Sequence, residues 1–388
     1  MNQKFSKKKL ILFSAIPILL FFLLLEFGVR TFLEFEPNRV LCYHPIMGRS
    51  YCPDTKGHLK ENQVKMHVEV NAEGLLGKPY PIERLKGKFR IALLGDSFTS
   101  AEAVKPKEKF AGVWEKNLSG RSEGGIEVIN FGVGGTGTWQ QLQMFHIKAR
   151  KYKPDLTVVA FCWCNDIDNN IDKFKSGSMS PLLDEYDVGW FKLLQAKRKN
   201  FNKWLWNNSG LYQFTRTKYN HLEHYFKRMF LPDYMKKVPA SGKKDELKNK
   251  IKKVGKKKQK LPEYLTDTVS IFDDLFFFSS EGWGITRKLL LKLKQEVVAN
   301  GGQLAVIHFG GVHQYRNFPV LPIQQFEAFL ESQGIAHFNA FDLFKKIDDE
   351  FLYENFIPND GHFSKIGHRH FAEYSTEFLL SLIEKNKI

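Results

Sequence analysis

The chain reads as an α/β protein: a three-layer sandwich on a five-stranded parallel sheet, with an apolar N-terminal segment and a helical insertion. Three observations predict this. Short apolar runs recur at 91–94, 126–131, 156–161, 303–309 and 335–338, and those that are apolar on both faces are what strands covered by helices on each side require. Stretches with helical apolar spacing lie between them. The first three runs each end in turn-forming residues: Gly95-Asp96-Ser97, the glycine-rich 132–137, and Asn165-Asp166. With 388 residues and 43% hydrophobic content, the chain can bury one large core and a smaller appendage.

From the N-terminus, Lys7-Lys8-Lys9 precede Leu10–Leu25, which is almost wholly apolar apart from Ser14. A span of this kind is at the short edge for a membrane helix and lengthens past Glu26. No small-x-small cleavage site follows Leu25, so an uncleaved anchor over 10–27 is expected rather than a removed signal. The lysines place 1–9 in the cytoplasm and the rest outside. The net charge is +16, of which +10 falls in 236–260 and +4 in 1–9, leaving +2 for everything else. The basicity is therefore local, and no nucleic-acid-binding domain is implied.

Residues 28–86 read as an extracytoplasmic connecting segment. Cys42 and Cys52 could close a small loop there or remain free thiols. The run Val70–Gly77 reads only as a turn. The domain proper, 87–388, opens with the strand Ile91–Leu94, which runs into Gly95-Asp96-Ser97. Ser97 then falls at the carboxyl edge of a parallel sheet, where open α/β folds bind ligands. It is a candidate nucleophile if a base reaches it, and otherwise a helix-capping residue beside Asp96.

A helix over 107–118 and the strand 126–131 lead to Gly132-Val133-Gly134-Gly135-Thr136-Gly137, which fits Gly-x-Gly-x-x-Gly and opens a helix over 138–150. A dinucleotide site needs an acid at the end of the next strand, about 20 residues on. Asp155 precedes that strand and Asp166 comes late, so a turn whose backbone N–H groups face a developing oxyanion is the better reading. No cofactor is expected. The strand 156–161 ends in Cys162-Trp163-Cys164-Asn165-Asp166. Placed on alternate sides of a strand, Cys162 and Cys164 are poorly set for a mutual disulfide and read as buried thiols. With no further ligands clustered nearby, no metal is expected.

Residues 170–282 interrupt the rhythm. The aromatic stretch 191–230 has helical spacing and reads as helices packed as a cap, its rings in a core. The lysine-rich 236–260 reads as a solvated loop, or as an arm for an anionic surface. The run 275–278 suits core packing or the site entrance. The α/β pattern then resumes with a helix over 283–300, the strand 303–309, a helix over 324–332 and the strand 335–338. His308 and His313 have no acidic partner nearby in sequence and read as core or edge residues. Last comes Asn359-Asp360-Gly361-His362 in a turn-rich loop, before a helix capped by Ser364 that runs to about Glu384. A carboxylate beside an imidazole is what a serine nucleophile needs.

Gly-Asp-Ser after the first strand, the glycine turn after the second, Asn-Asp after the third and the late Asp-x-His, in this order, resemble the SGNH (GDSL-type) hydrolase superfamily. The resemblance covers Phe89 to the C-terminus apart from the insertion. It implies a flavodoxin-like fold and acyl transfer through an acyl-serine. Ser97 would be the nucleophile, His362 the base and Asp360 the orienting acid, with Ser97, Gly135 and Asn165 forming the oxyanion hole. Three departures stand out. Trp163 takes the usual glycine's place two before the asparagine. The commoner Asp-x-x-His frame would put Asn359 in the acid position. Phe98-Thr99 follow Ser97 rather than Leu-Ser. The run Asn71-Ala72-Glu73-Gly74-Leu75-Leu76-Gly77 resembles one that precedes this strand in membrane-anchored bacterial members. The likeness to those members implies an O-acyl substrate, such as acetyl groups on an envelope or secreted polysaccharide, or a lipid. Water as acceptor makes an esterase and a sugar hydroxyl makes an O-acyltransferase. A non-catalytic envelope binding module is the third reading.

Overall fold

The computed structural model describes residues 7–33, 40–61, 64–122, 124–175, 190–219, 281–312, 314–315, 320–345, 352, 354–357 and 360–385. The lysine-rich 236–260, the 275–278 run, His313, Asn359 and the aromatic residues beyond 219 lie outside the described residues. The chain divides into two compact units, Met1–Asn38 with Asn200–Asp267 and Arg39–Lys199 with Thr268–Ile388.

The second unit is built on β5 (Phe89–Gly95), every residue of which is buried. It pairs in parallel with β6 (Ile126–Asn130) on one side and with β7 (Leu156–Cys162) on the other. The strands β8 (Gln303–Phe309) and β9 (Ala336–Asn339) follow, in the order β6-β5-β7-β8-β9. The first strand of the sheet thus lies between the second and third, which makes the β5/β7 boundary the point where the winding reverses and where such sheets open a crevice. The register pairs Gly95 with Ala160, so β7 runs on through Phe161 and Cys162 beyond the end of β5.

Helices flank the sheet in two groups. The helix α3 (Phe110–Ser119) packs on the closing helix α9 (Lys365–Lys385): Trp114 Nε1 donates to Ser375 Oγ at 3.0 Å, and Phe110 meets Phe371 at 4.9 Å between ring centres. The second group is α4 (Thr138–Ile147), α5 (Asp166–Lys175) and α7 (Glu281–Ala299), with Asn170 Nδ2 donating to Thr286 Oγ1 at 2.9 Å. Between α7 and β9 lies α8 (Val320–Ser332), after β8. The helix expected to reach Arg150 stops at Ile147 and gives way to a 3-10 turn over Ala149–Tyr152. A fully buried Arg90 is satisfied on every side: Nε donates to Glu127, and the two terminal nitrogens donate to the carbonyls of Pro81, Ile82, Glu83 and Tyr152.

The segment ahead of β5 has structure of its own. Two antiparallel hairpins, β1 (Leu41–His44) with β2 (Gly48–Tyr51) and β3 (Thr55–Glu61) with β4 (Val64–Val70), contribute Val40, Met47, Tyr51, Leu59 and Val70 to the core. Cys42 and Cys52 are joined by a disulfide. The 71–77 stretch is a turn, as its residues suggest. Asn71 Oδ1 accepts from the N–H of Glu73 and of Leu75, both at 3.0 Å, and Gly74 takes a positive φ.

In the first unit, α1 (Lys7–Phe32) contains the stretch Phe13–Phe32, 20 residues of mean hydropathy 1.9. That length and composition suit a membrane span or a signal sequence. The insertion contributes α6 (Trp190–Asn208), whose latter part belongs here, and a further helix over 210–219. The expectation that these rings form a core is not met: Phe201 is 58% exposed, Trp204 56% and Tyr219 56%. Helical spacing showed that the rings share faces but not what covers them.

Candidate active site

Three loops converge at the carboxyl end of β5. Directly after it the chain makes a single helical turn, α2 (Ser97–Ser100), and folds back on the strand. Gly95 is required by that fold: a Cβ there would sit 2.0 Å from Thr99 Oγ1. Asp96 caps the turn, its Oδ1 accepting from Phe98 N–H at 2.9 Å. The β6–α4 loop is stitched on beside it. Val133 N–H and Thr136 Oγ1 both donate to the Gly95 carbonyl, and Asn130 Nδ2 donates to Thr99 O at 2.7 Å. Within 131–136 only Gly135 is exposed, and its φ of 72° suits glycine.

The late loop closes on this turn. His362 Nε2 lies 2.7 Å from Ser97 Oγ, across a sequence separation of 265. Its Nδ1 hydrogen-bonds Asp360 Oδ1, and the same oxygen accepts from the His362 backbone N–H at 3.1 Å. The Asp360 side chain is 2% exposed and that of His362 26%, so the carboxylate is dry while the ring has a wet edge. Phe98 packs against the imidazole, with ring centres 4.8 Å apart. With Asp360 accepting at Nδ1, Nε2 is left unprotonated to accept from the serine hydroxyl. Ser97, Asp360 and His362 are thus brought together.

Asn165 sits one loop over, after β7, with its amide against the Asp96 carboxyl, next to Ser97. Asp96 and Asp166 are both fully buried. Burial pushes the Asp96 carboxyl up, opposed by the Asn165 amide and the Phe98 N–H. Burial and then the nearby Asp96 charge push Asp166 well above the usual carboxylate range. Asp96 Oδ2 and Asn165 Oδ1 both lack a hydrogen-bond partner. The buried pair escaped the sequence reading, which took Asp96 only as a cap and Asp166 only as a turn residue. Their spacing in sequence is uninformative, since the sheet alone brings them together.

Two expectations are corrected. Cys162 and Cys164 form a disulfide, their Cα atoms 5.1 Å apart. The strand ends at Cys162 and the chain turns over 163–165, so the two are not alternate residues of one strand. Both sulfurs and an Asp96 oxygen lie within 4.8 Å of one another, but disulfide sulfurs carry no thiolate for a metal. His308 does have an acidic partner: Glu327 on α8 lies 3.4 Å from its Nε2, and Trp163 Nε1 donates to its Nδ1 at 3.3 Å. The histidine is a core residue whose pKa burial lowers.

The backbone donors that open α4 are in use within the protein. Gln140 Oε1 accepts from Gly137 N–H and Asn170 Oδ1 from Trp139 N–H, both at 3.1 Å. A Cβ on Gly137 would meet the Asp166 carbonyl at 2.9 Å. The fourth glycine of the run is therefore needed for close packing on α5.

No family model matches the chain, and no curated protein matches it. Solved structures similar to it include a protein assigned to the G-D-S-L lipolytic family from Desulfitobacterium hafniense DCB-2, 10% identical, covering 74% of this chain and 98% of that one, with a TM-score of 0.37. A lipase from a goat rumen metagenome is 11% identical over 75% of this chain and 97% of that one, with a TM-score of 0.40. The psychrotrophic esterase EstA from Pseudoalteromonas sp. is 12% identical over 75% and 98%, with a TM-score of 0.36. Likeness at this level concerns the course of the chain and carries nothing about substrate. The three solved structures are thus a lipolytic protein of the G-D-S-L family, a lipase and an esterase.

Proposed function

We propose that the protein is a serine esterase of the SGNH type that removes O-acyl groups, acetyl above all, from a polysaccharide or lipid outside the membrane. The observation that carries the reading is the chain of contacts from Ser97 Oγ through both ring nitrogens of His362 to a dry Asp360. In this reading Ser97 attacks the ester carbonyl as His362 Nε2 takes its proton. Asp360 stabilises the imidazolium, and the leaving alcohol receives the proton from Nε2. Water, deprotonated by the same nitrogen, then releases the acid and frees the serine. The tetrahedral oxygen rests on the Ser97 and Gly135 N–H groups and the Asn165 amide, each donor contributing about 3 kcal/mol. The helix α1 is proposed to be a membrane anchor, with Lys7–Lys9 on the cytoplasmic side.

The test is hydrolysis of p-nitrophenyl acetate by the full chain beside its Ser97→Ala variant, with fluorophosphonate labelling in parallel. Turnover lost in the variant supports the esterase. Labelling of Ser97 without turnover makes a sugar hydroxyl the acceptor in place of water. A folded protein with neither sinks the acyl-serine and leaves a binding module.

A further inference from the structure

The end of α1 does not stand free. Glu26 accepts from the N–H groups of Gly210 and Leu211, at 2.7 and 2.9 Å, and from Ser209 Oγ at 2.8 Å. Arg30, one turn later, pairs with Glu26 and donates to the Asn208 carbonyl. An anion thus sits at the start of the helix over 210–219 and a cation at the end of α6, each where the helix dipole favours it. At 1.5 Å per residue, Glu26 lies about 26 Å above Lys9 and Arg30 about 32 Å above it, so the pair straddles the far boundary of a bilayer core about 30 Å thick.

The two helices that meet at this pair carry an exposed aromatic and basic surface. Phe201 and Trp204 stack, ring centres 6.0 Å apart, and both are exposed. On the following helix Lys218 Nζ lies 5.6 Å from the Phe214 ring centre and the Arg216 guanidinium 5.4 Å from that of Tyr219. Residues 200–219 contain no acid. A soluble surface rarely shows such a patch, whereas exposed rings interleaved with Lys and Arg are what a headgroup layer accommodates.

We propose that the hairpin formed by the end of α6 and the helix over 210–219 lies in the outer headgroup layer of the membrane and binds anionic lipid there, held in place by Glu26 and Arg30. This rests on the reading of α1 as an anchor. The rings enter the boundary between headgroups and acyl chains, and Arg216 and Lys218 face the phosphates.

The test is tryptophan emission from the full chain reconstituted in phosphatidylcholine–phosphatidylglycerol vesicles. The part due to Trp204 is taken as wild type minus Trp204→Phe, an exposed and foldable change. Lipid brominated near the headgroup should quench that part by about half, and aqueous iodide should leave it nearly untouched. Wholly zwitterionic vesicles should give weaker quenching, and equal quenching in both overturns the role given to the basic residues. A chain that does not float with the vesicles sinks the anchor and the proposal with it. A chain that floats while its Trp204 emission escapes bromine, whether iodide reaches it or another protein copy shields it, overturns the hairpin's placement alone.

Discussion

Substitution of Asp360 separates two jobs that its carboxylate performs at once. One oxygen, Oδ1, accepts both from the His362 backbone N–H and from Nδ1 of the ring. In Asp360→Asn the amide carbonyl can occupy that position and keep both bonds. The imidazole then keeps its tautomer, and Nε2 still accepts from Ser97. What is lost is the negative charge that stabilises the imidazolium. At a separation of about 4 Å and an effective dielectric constant near 20, that charge is worth about 4 kcal/mol, or roughly a thousandfold in kcat. In Asp360→Ala the orientation goes as well, so the loss should approach about 10⁴-fold, the scale seen when a triad carboxylate is removed. The assay is p-nitrophenyl acetate hydrolysis by both variants, with melting curves to show that each is folded. Equal rates for Asn and Ala would refute the shared-oxygen argument. Asn activity above about a tenth of wild type would refute the electrostatic one.

Other consequences follow from single positions. Burial, then the charges of Lys109 and His362, holds the His368 imidazole down to about 3, where its Nδ1 accepts from Phe110 N–H. The unfolded chain takes up this proton near pH 6.5 and the folded one does not, so the stability it contributes is present above pH 6.5 and drains away as pH falls toward 3. His368→Asn keeps an acceptor but cannot titrate, so urea titrations between pH 6 and 4 should show a slope smaller by about 1.4 kcal/mol per pH unit; parallel curves would contradict this. Arg90→Met strands Glu127 and four carbonyls, and the urea midpoint should fall by the equivalent of about 3–5 kcal/mol. In Gly95→Ala the new methyl overlaps Thr99; a loss of about 1–3 kcal/mol together with most of the turnover is expected, and wild-type values for both would show that the close approach is not needed.

The legible parts of this chain are those whose cause is local. A strand buried on both faces writes an unbroken apolar run, and a strand-to-helix turn over a crevice writes Gly95-Asp96-Ser97, so the order of elements in the sheet unit could be read directly. Asp360 and His362 were legible because the chemistry needs both in one short loop. The two hairpins ahead of β5 were not. Their strands are four to seven residues long, and β3 mixes Lys56, His58 and Lys60 with the buried Leu59, too weak a period-two signal to stand above a linker. The Cys162–Cys164 bond was misread because the end of β7, which one residue decides, determines whether the two side chains diverge or fold together. Glu327 was missed as a partner of His308 because 19 residues separate them in sequence and only the packing of α8, on which Glu327 lies, brings them to 3.4 Å.

The insertion shows the same limit from the other side. Apolar spacing along 191–219 establishes helices, but periodicity reports that one face differs from the other, not what that face meets. Water, a protein core and a lipid headgroup layer all produce the same spacing. What distinguishes them is the partner at the helix junction. Glu26 and Arg30 lie some 180 residues upstream, in a segment whose length and apolarity suit a membrane span or a signal sequence. A buried cap would bring aliphatic residues against these rings and acids against the lysines. The exposed faces instead carry stacked rings, cations over rings and no acid across 200–219. Exposure and charge sign together with the Glu26–Arg30 contact, rather than hydrophobic periodicity, are therefore the features on which the proposed place of these helices at the membrane surface rests.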